Sequence, residues 1–180
     1  MRNLLSNILK VGAIAAGLAL LAGSPSGART VTDQAGRRVE IPDHPQRVVS
    51  LAPSITEIVF ALGQEQILKG VTSYSDFPPE ASGLPRVGSY VRLDLERIIE
   101  LRPDLCIAVK DGNPKATVDR LQALGVPVYA LDPRSVSTVI QAILEMGVVL
   151  NAEDRAERMA RDMRSRIEHV TARLSGAGRR

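Results

Sequence analysis

Arg47-Val48-Val49-Ser50-Leu51-Ala52-Pro53-Ser54-Ile55-Thr56-Glu57 reads as a strand running straight into a helix. Arg47 to Leu51 is a short apolar run. Ser54 and Glu57 have the spacing of a capping box, in which the serine satisfies a free helix N–H and the glutamate reaches back. The helix then stops at Leu62-Gly63, because glycine tolerates the left-handed cap. The same unit recurs downstream. Ile67 to Thr72 is a second strand. Asp94 caps a helix with Leu95, Ile98 and Ile99 on one face, ended by Pro103. Asp104 to Val109 is a third strand, and Asn113-Pro114 opens a helix with Val118, Leu121 and Leu124 inward and Gly125 at its end. Val126 to Leu131 is a fourth strand, followed by a helix capped by Ser135 and running to about Met146. Near-continuous apolar strands separated by helices predict an α/β fold, a Rossmann-like parallel sheet with helices on both faces. Ahead of it, Thr30 to Pro42 alternates around Asp33-Gln34-Ala35-Gly36, the pattern of a small hairpin.

Working outward, the two ends differ from this lobe. Val11 to Ala22 is an uncharged run of 12 residues behind Arg2 and Lys10. That is too short for a bilayer core of roughly 30 Å but suits an export signal, with small residues and a cut near Ala28. Leu21-Ala22-Gly23-Ser24 has serine where a lipidated cysteine would stand, so no stable membrane anchor is expected. At the other end Ala152, Ala156, Met159, Ala160, Met163, Ile167, Val170 and Leu174 repeat at three- and four-residue steps. With Asn151 as N-cap, this helix would be about 35 Å long. The stripe fits packing on its own domain, a coiled coil or a rigid strut. The expected organisation is a signal peptide over 1–28, a lobe over 29–150, a long helix over 151–175 and a tail over 176–180.

Composition narrows the function. The 180 residues are 44% hydrophobic and 24% charged, neither a disordered chain nor a multi-span membrane protein. Two of the three excess positive charges leave with the signal, so no nucleic-acid footprint is expected. There is no Trp, and Tyr and Phe number three and two. The single Cys106 lies mid-strand and reads as an inert core residue. His44 and His169 form no catalytic pair, and neither a glycine-rich nor a Walker phosphate motif is present, so no enzyme activity is expected.

Ligands of a parallel α/β sheet sit beyond the carboxyl ends of its strands. The loops leaving those ends are 52–54, 73–79, 110–113 and 132–135. Tyr74 lies in one and Tyr90 in the irregular stretch 87–93; such rings suit stacking on a flat ligand, although Tyr74 could equally pack on Pro78-Pro79. Tyr129 is placed in the core. Ser54, Asp76 and Asn113 complete the candidate ligand-binding set. Asp76, Asp111 and Asp132 fit turns and caps better than a metal site, so no metal or cofactor is expected. Glu96, on the outer side of the Asp94 helix, is placed to favour the positive helix end or to meet a basic partner.

These residues resemble a known family. The 47–57 stretch resembles the opening of periplasmic binding proteins of the helical-backbone class. Gly70-Val71-Thr72-Ser73-Tyr74-Ser75-Asp76-Phe77-Pro78-Pro79, Leu95-Glu96-Arg97 with Leu101-Arg102-Pro103-Asp104-Leu105, and Gly112-Asn113-Pro114 are similar to the cobalamin-binding members. The resemblance covers about residues 46–150. It implies two α/β lobes joined by one long helix, which capture a small-molecule ligand in the periplasm and deliver it to an ABC permease. Tyr74 matches a tyrosine that contacts the corrin, Tyr90 falls at a pocket tryptophan, and Val109 departs from another. Glu96 matches a glutamate that docks onto permease arginines. An iron-siderophore or haem ligand is the alternative within the class; a self-associating one-lobe module is the alternative outside it. With six residues after Leu174, the second lobe is expected to be absent, as in a truncated chain.

Overall fold

The computed structural model describes residues 27–176. The expected signal peptide, save its last two residues, and the tail beyond Gly176 lie outside the described residues. In chain order the elements are β1 (Ala28–Thr32), β2 (Arg38–Pro42), β3 (Val48–Ser50), α1 (Pro53–Ala61), β4 (Leu68–Gly70), β5 (Gly88–Ser89), β6 (Arg92–Leu93), α2 (Leu95–Glu100), β7 (Leu105–Val109), α3 (Lys115–Ala123), β8 (Val128–Leu131), α4 (Val136–Leu150) and α5 (Glu153–Gly176). Strands β3, β4, β7 and β8 form a parallel sheet in the order β4-β3-β7-β8. The hairpin β1-β2 is antiparallel, as is the short pair β5-β6, which the apolar pattern did not reveal.

Strand alternation divides the core into two layers. Val48, Leu105, Ile107, Tyr129 and Leu131 face α1, α4 and the start of α5, meeting Ile55, Val59, Ile143, Met146 and Ala156. Val49, Leu51, Cys106, Ala108 and Val128 face the other way, onto Ile98 of α2 and Val118 and Leu121 of α3. The sheet is thus covered on both faces. Each fully buried Leu or Ile contributes about 1.5–3 kcal/mol. Burial, with Asp104 nearby, pushes the Cys106 thiol up to about 12. Two predicted inward residues are not buried: Ile99 and Leu124 are 37% and 55% exposed, since Ile98 and Leu121 already fill those positions.

The hairpin protects the sheet's outer edge. The Gln34 N–H donates to Ala130 O at 2.9 Å, while buried Asp33 accepts the Ala130 N–H at 3.3 Å and holds Arg37 at 2.6 Å. Backbone groups of β8 that would otherwise be open to another chain are therefore occupied.

Helix boundaries correct two expectations. The N-cap of α1 is Ala52, with Pro53 in the first turn and no side-chain cap, so Ser54 and Glu57 do not form a capping box. Proline needs no N–H partner at that point, and it sets the start ahead of Ser54. Asn151 is not the N-cap of α5. It ends α4 in a left-handed conformation, φ 56°, and its amide donates to Asp43 O at 2.8 Å. Asp94 and Ser135 do cap α2 and α4, Ser135 pairing with Thr138 in a capping box.

The joint between α4 and α5 is tight. A β-carbon on Gly147 would collide with that of Ala156, so glycine alone permits this approach. Arg29 closes the joint from β1, donating to Val148 O at 2.6 Å and Val149 O at 3.2 Å, where its charge also complements the helix dipole. Ala156 and Ala160 are buried, Met159 and Met163 half-covered, while Ile167, Val170 and Leu174 are 40%, 55% and 72% exposed. The first turns of α5 pack on the lobe; the later ones leave it. No helix among the described residues is long and apolar enough to cross a membrane.

Candidate functional site

The carboxyl ends of β3, β4, β7 and β8 carry four loops, and buried polar side chains tie those after β3, β4 and β7 together from beneath. Ser50, Thr56, Thr72 and Ser75 are all 1% exposed or less. Thr56 Oγ1 lies 2.8 Å from Ser50 Oγ and 3.0 Å from Ser75 Oγ, and Ser75 Oγ lies 2.9 Å from Thr72 Oγ1. Ser50 in turn donates to Ala52 O at 2.9 Å. This hydroxyl chain joins the end of β3, the second turn of α1 and the loop after β4. Arg86 grips the same loop from the side, donating to Thr72 O at 2.8 Å and Ser75 O at 2.9 Å, with Asp76 at 3.5 Å. Buried polar groups hold only one arrangement when all are satisfied, so the turn carrying Tyr74 is rigid.

Above that brace Tyr74 is 66% exposed. Most of its surface faces solvent. Asp76 is exposed beside it, and Ser54 is exposed in the first turn of α1. Tyr90, 40% exposed, lies in the β5-β6 turn, next to Gly112 of the loop after β7. Asn113 is different from the other candidates, for its side chain is buried and used within the protein. Its Oδ1 accepts the Val109 N–H at 2.7 Å, and its Nδ2 donates to Leu51 O at 2.7 Å and Tyr90 O at 2.8 Å. Asn113 thus ties β3, β7 and the Tyr90 turn to one another instead of facing outward.

Beyond β7 and β8 the charges are paired. Arg134 donates to Asp132 at 2.7 Å and reaches Asp111 at 2.7 Å, while Lys110 meets Asp132 at 3.3 Å. The Arg134 hydrogen bond, reinforced by Lys110, holds the Asp132 carboxyl below its ordinary value. Asp76, Asp111 and Asp132 are each engaged by arginine, and among the described residues no three acidic, His or Cys groups converge to hold a metal ion. Glu96 is exposed on α2, pointing away from buried Ile98.

Sequence reading picked out Tyr74, Tyr90 and Glu96 by residue type and missed the Ser50-Thr56-Ser75-Thr72 chain. Hydroxyls at the ends of apolar strands were the available signal, but nothing in their spacing says that they meet.

The sequence profile described as periplasmic binding protein matches residues 48–180. The vitamin B12-binding protein of Pectobacterium carotovorum is 36% identical over 134 residues, 74% of this chain and 48% of that protein. Among solved structures, the periplasmic vitamin B12 binding protein of Vibrio cholerae is 31% identical with a TM-score of 0.68, covering 73% of this chain and 51% of that one. A periplasmic haem-binding protein of Pseudomonas aeruginosa is 32% identical with a TM-score of 0.69, covering 74% and 48%. The chain spans about half the length of the curated relatives it matches.

Proposed function

The chain belongs to the periplasmic binding protein family, and on that premise we propose that residues 29–150 are a ligand-capturing lobe of an ABC importer's binding protein, taking a corrinoid. The protein is exported by residues 1–28, works in the periplasm and hands its ligand to a membrane permease rather than transforming it. The observation that carries this reading is Tyr74, an exposed ring on a turn immobilised from below by four buried hydroxyls and Arg86. A rigid ring loses little entropy on stacking, which suits the face of a large planar macrocycle. Tyr90, held through its backbone by Asn113, offers a second ring at the same edge. Curated relatives that bind vitamin B12 favour the corrinoid within this class of ligand.

Haem is the second reading, because the haem-binding neighbour is as similar in identity and shape as the vitamin B12-binding one. The two differ in what they ask of Tyr74. A corrin needs the ring face, while a ring-held iron with an open position needs the phenolic oxygen. Calorimetric titration with cyanocobalamin and with hemin tests both, using Tyr74→Phe and Tyr74→Ala. Cobalamin binding that survives Tyr74→Phe and weakens about tenfold in Tyr74→Ala is expected. Hemin binding that Tyr74→Phe abolishes would transfer the assignment to haem. No binding of either at about 1 mM, some 4 kcal/mol, would overturn the macrocycle reading.

A further inference from the structure

Between α1 and the later part of the 73–79 loop, lined by none of the five candidate ligand residues, lies a hollow of about 430 Å3. Its apolar surface comes from Phe60 and Ala61 of α1 and from Phe77 and Pro78. The chain contains only two phenylalanines, and both line this one hollow. Phe77 is 66% exposed, a large apolar ring left in water although the core has two well-packed layers to receive it. Glu57 of α1, Glu65 of the turn after it and Glu80 of the turn 79–83 stand around the rim. None of the three carboxylates has an ion pair or a side-chain hydrogen bond among the described residues; Glu40, Glu96, Glu100, Glu153 and Glu168 share that state, so what sets these three apart is their position around two aromatic residues.

We infer that this hollow is a docking site for an arginine-bearing segment of a protein partner. An aromatic face ringed by unpaired carboxylates attracts a cation with a flat, weakly hydrated body. A guanidinium stacks on a ring while its edges donate to carboxylates, which a compact ammonium does less well. A metal ion is a poor occupant, since no three acidic groups in the described residues converge closely enough to hold one. A second copy of this chain through the same patch is also disfavoured, since three uncompensated carboxylates would face three more. The inference depends on neither the corrinoid nor the transporter reading: Glu96 lies on α2, across the sheet from α1.

The test is an NMR titration at low salt with a blocked tri-arginine peptide, and with the matching tri-lysine peptide for comparison. Saturable shifts of the Phe60 and Phe77 ring protons and of the Glu57, Glu65 and Glu80 amides are expected, with the arginine peptide binding more tightly. Phe77→Leu, which keeps the apolar bulk and removes the ring, should weaken it about fivefold. Joint replacement E57Q/E65Q/E80Q, on exposed positions that leave the core untouched, should weaken it about tenfold or more. The control E153Q/E168Q on α5 should leave it unchanged. Shifts spread over all acidic surfaces, or equal in the triple variant and the control, would overturn the inference. So would equal occupancy by guanidinium ion alone at the same concentration of cations, which would make the site one for a free small cation.

Discussion

Asn113 commits both polar atoms of its side chain to three separate segments, the ends of β3 and β7 and the Tyr90 turn, so its replacement tests how that turn is held. Asn113→Ala leaves the Leu51 carbonyl and Val109 N–H without partners in a buried setting. The expected loss is about 2–4 kcal/mol in denaturant unfolding. Asn113→Asp keeps the acceptor for Val109 but loses both donated bonds, and should recover only part of that stability. Cys106 allows a second prediction. Its pKa rises from 9.0 to about 12 on folding, chiefly through burial. A raised pKa gives stability that is complete below the unfolded value and lost as pH climbs through the folded one. Unfolding free energy should therefore fall from pH 9.0 toward about 12, and Cys106→Ala should flatten that limb. Burial and Glu145, which shares a 3.0 Å hydrogen bond with the phenol, raise Tyr129 in the same sense, so some alkaline slope should survive in the variant. A soluble disulfide reagent should label Cys106 only on unfolding.

At the scale of elements, the joint between α4 and α5 is the most demanding contact. Gly147 and Ala156 let the helices approach, and Arg29 covers the last carbonyls of α4. Gly147→Leu should cost about 1–3 kcal/mol by overpacking and free the start of α5, read as faster amide exchange through residues 153–160. Arg29→Ala should cost about 1 kcal/mol, since it removes one helix-end cation and leaves the rest of the joint intact. These contacts also explain what the sequence could and could not convey. Apolar strands, Asp94 and Ser135 each act through neighbours a few residues away, and the parallel sheet was legible from them. Gly147 and Asn151 act through residues brought close by the fold: Ala156 collides only once two helices have docked, and the Asn151 partner is Asp43. Thr56 likewise reads as an ordinary helix residue until Ser75 arrives above it. At the site, exposed rings were legible by type, while the buried support that makes them rigid was not. The α1 start misled for a local reason: Pro53 opens the helix one residue ahead of Ser54, which makes Ala52 the N-cap and puts Ser54 inside the first turn.

For the whole molecule, affinity is set by how much of a ligand one surface can cover. Binding sites for small molecules enclose about 70–90% of the ligand. Tyr74, Ser54 and Tyr90 are exposed at one edge of one sheet, so the described residues offer a single wall. A flat macrocycle lying on one wall keeps its other face in water, forfeiting roughly half of that burial. Cobalamin binding by this polypeptide should accordingly be weak, with a Kd of about 10–100 μM, and fast to dissociate. Stopped-flow dissociation on a millisecond scale would agree; nanomolar affinity would mean that a second wall, from α5 or from another chain, closes on the ligand. If Glu96 docks on a permease, its replacement separates capture from delivery. It is exposed on α2, with no candidate ligand residue in that helix. Glu96→Lys should leave the cobalamin affinity within about twofold while reducing transport in cells that rely on the protein. Equal loss of both would show that Glu96 acts on the ligand wall itself, and the docking role would fall.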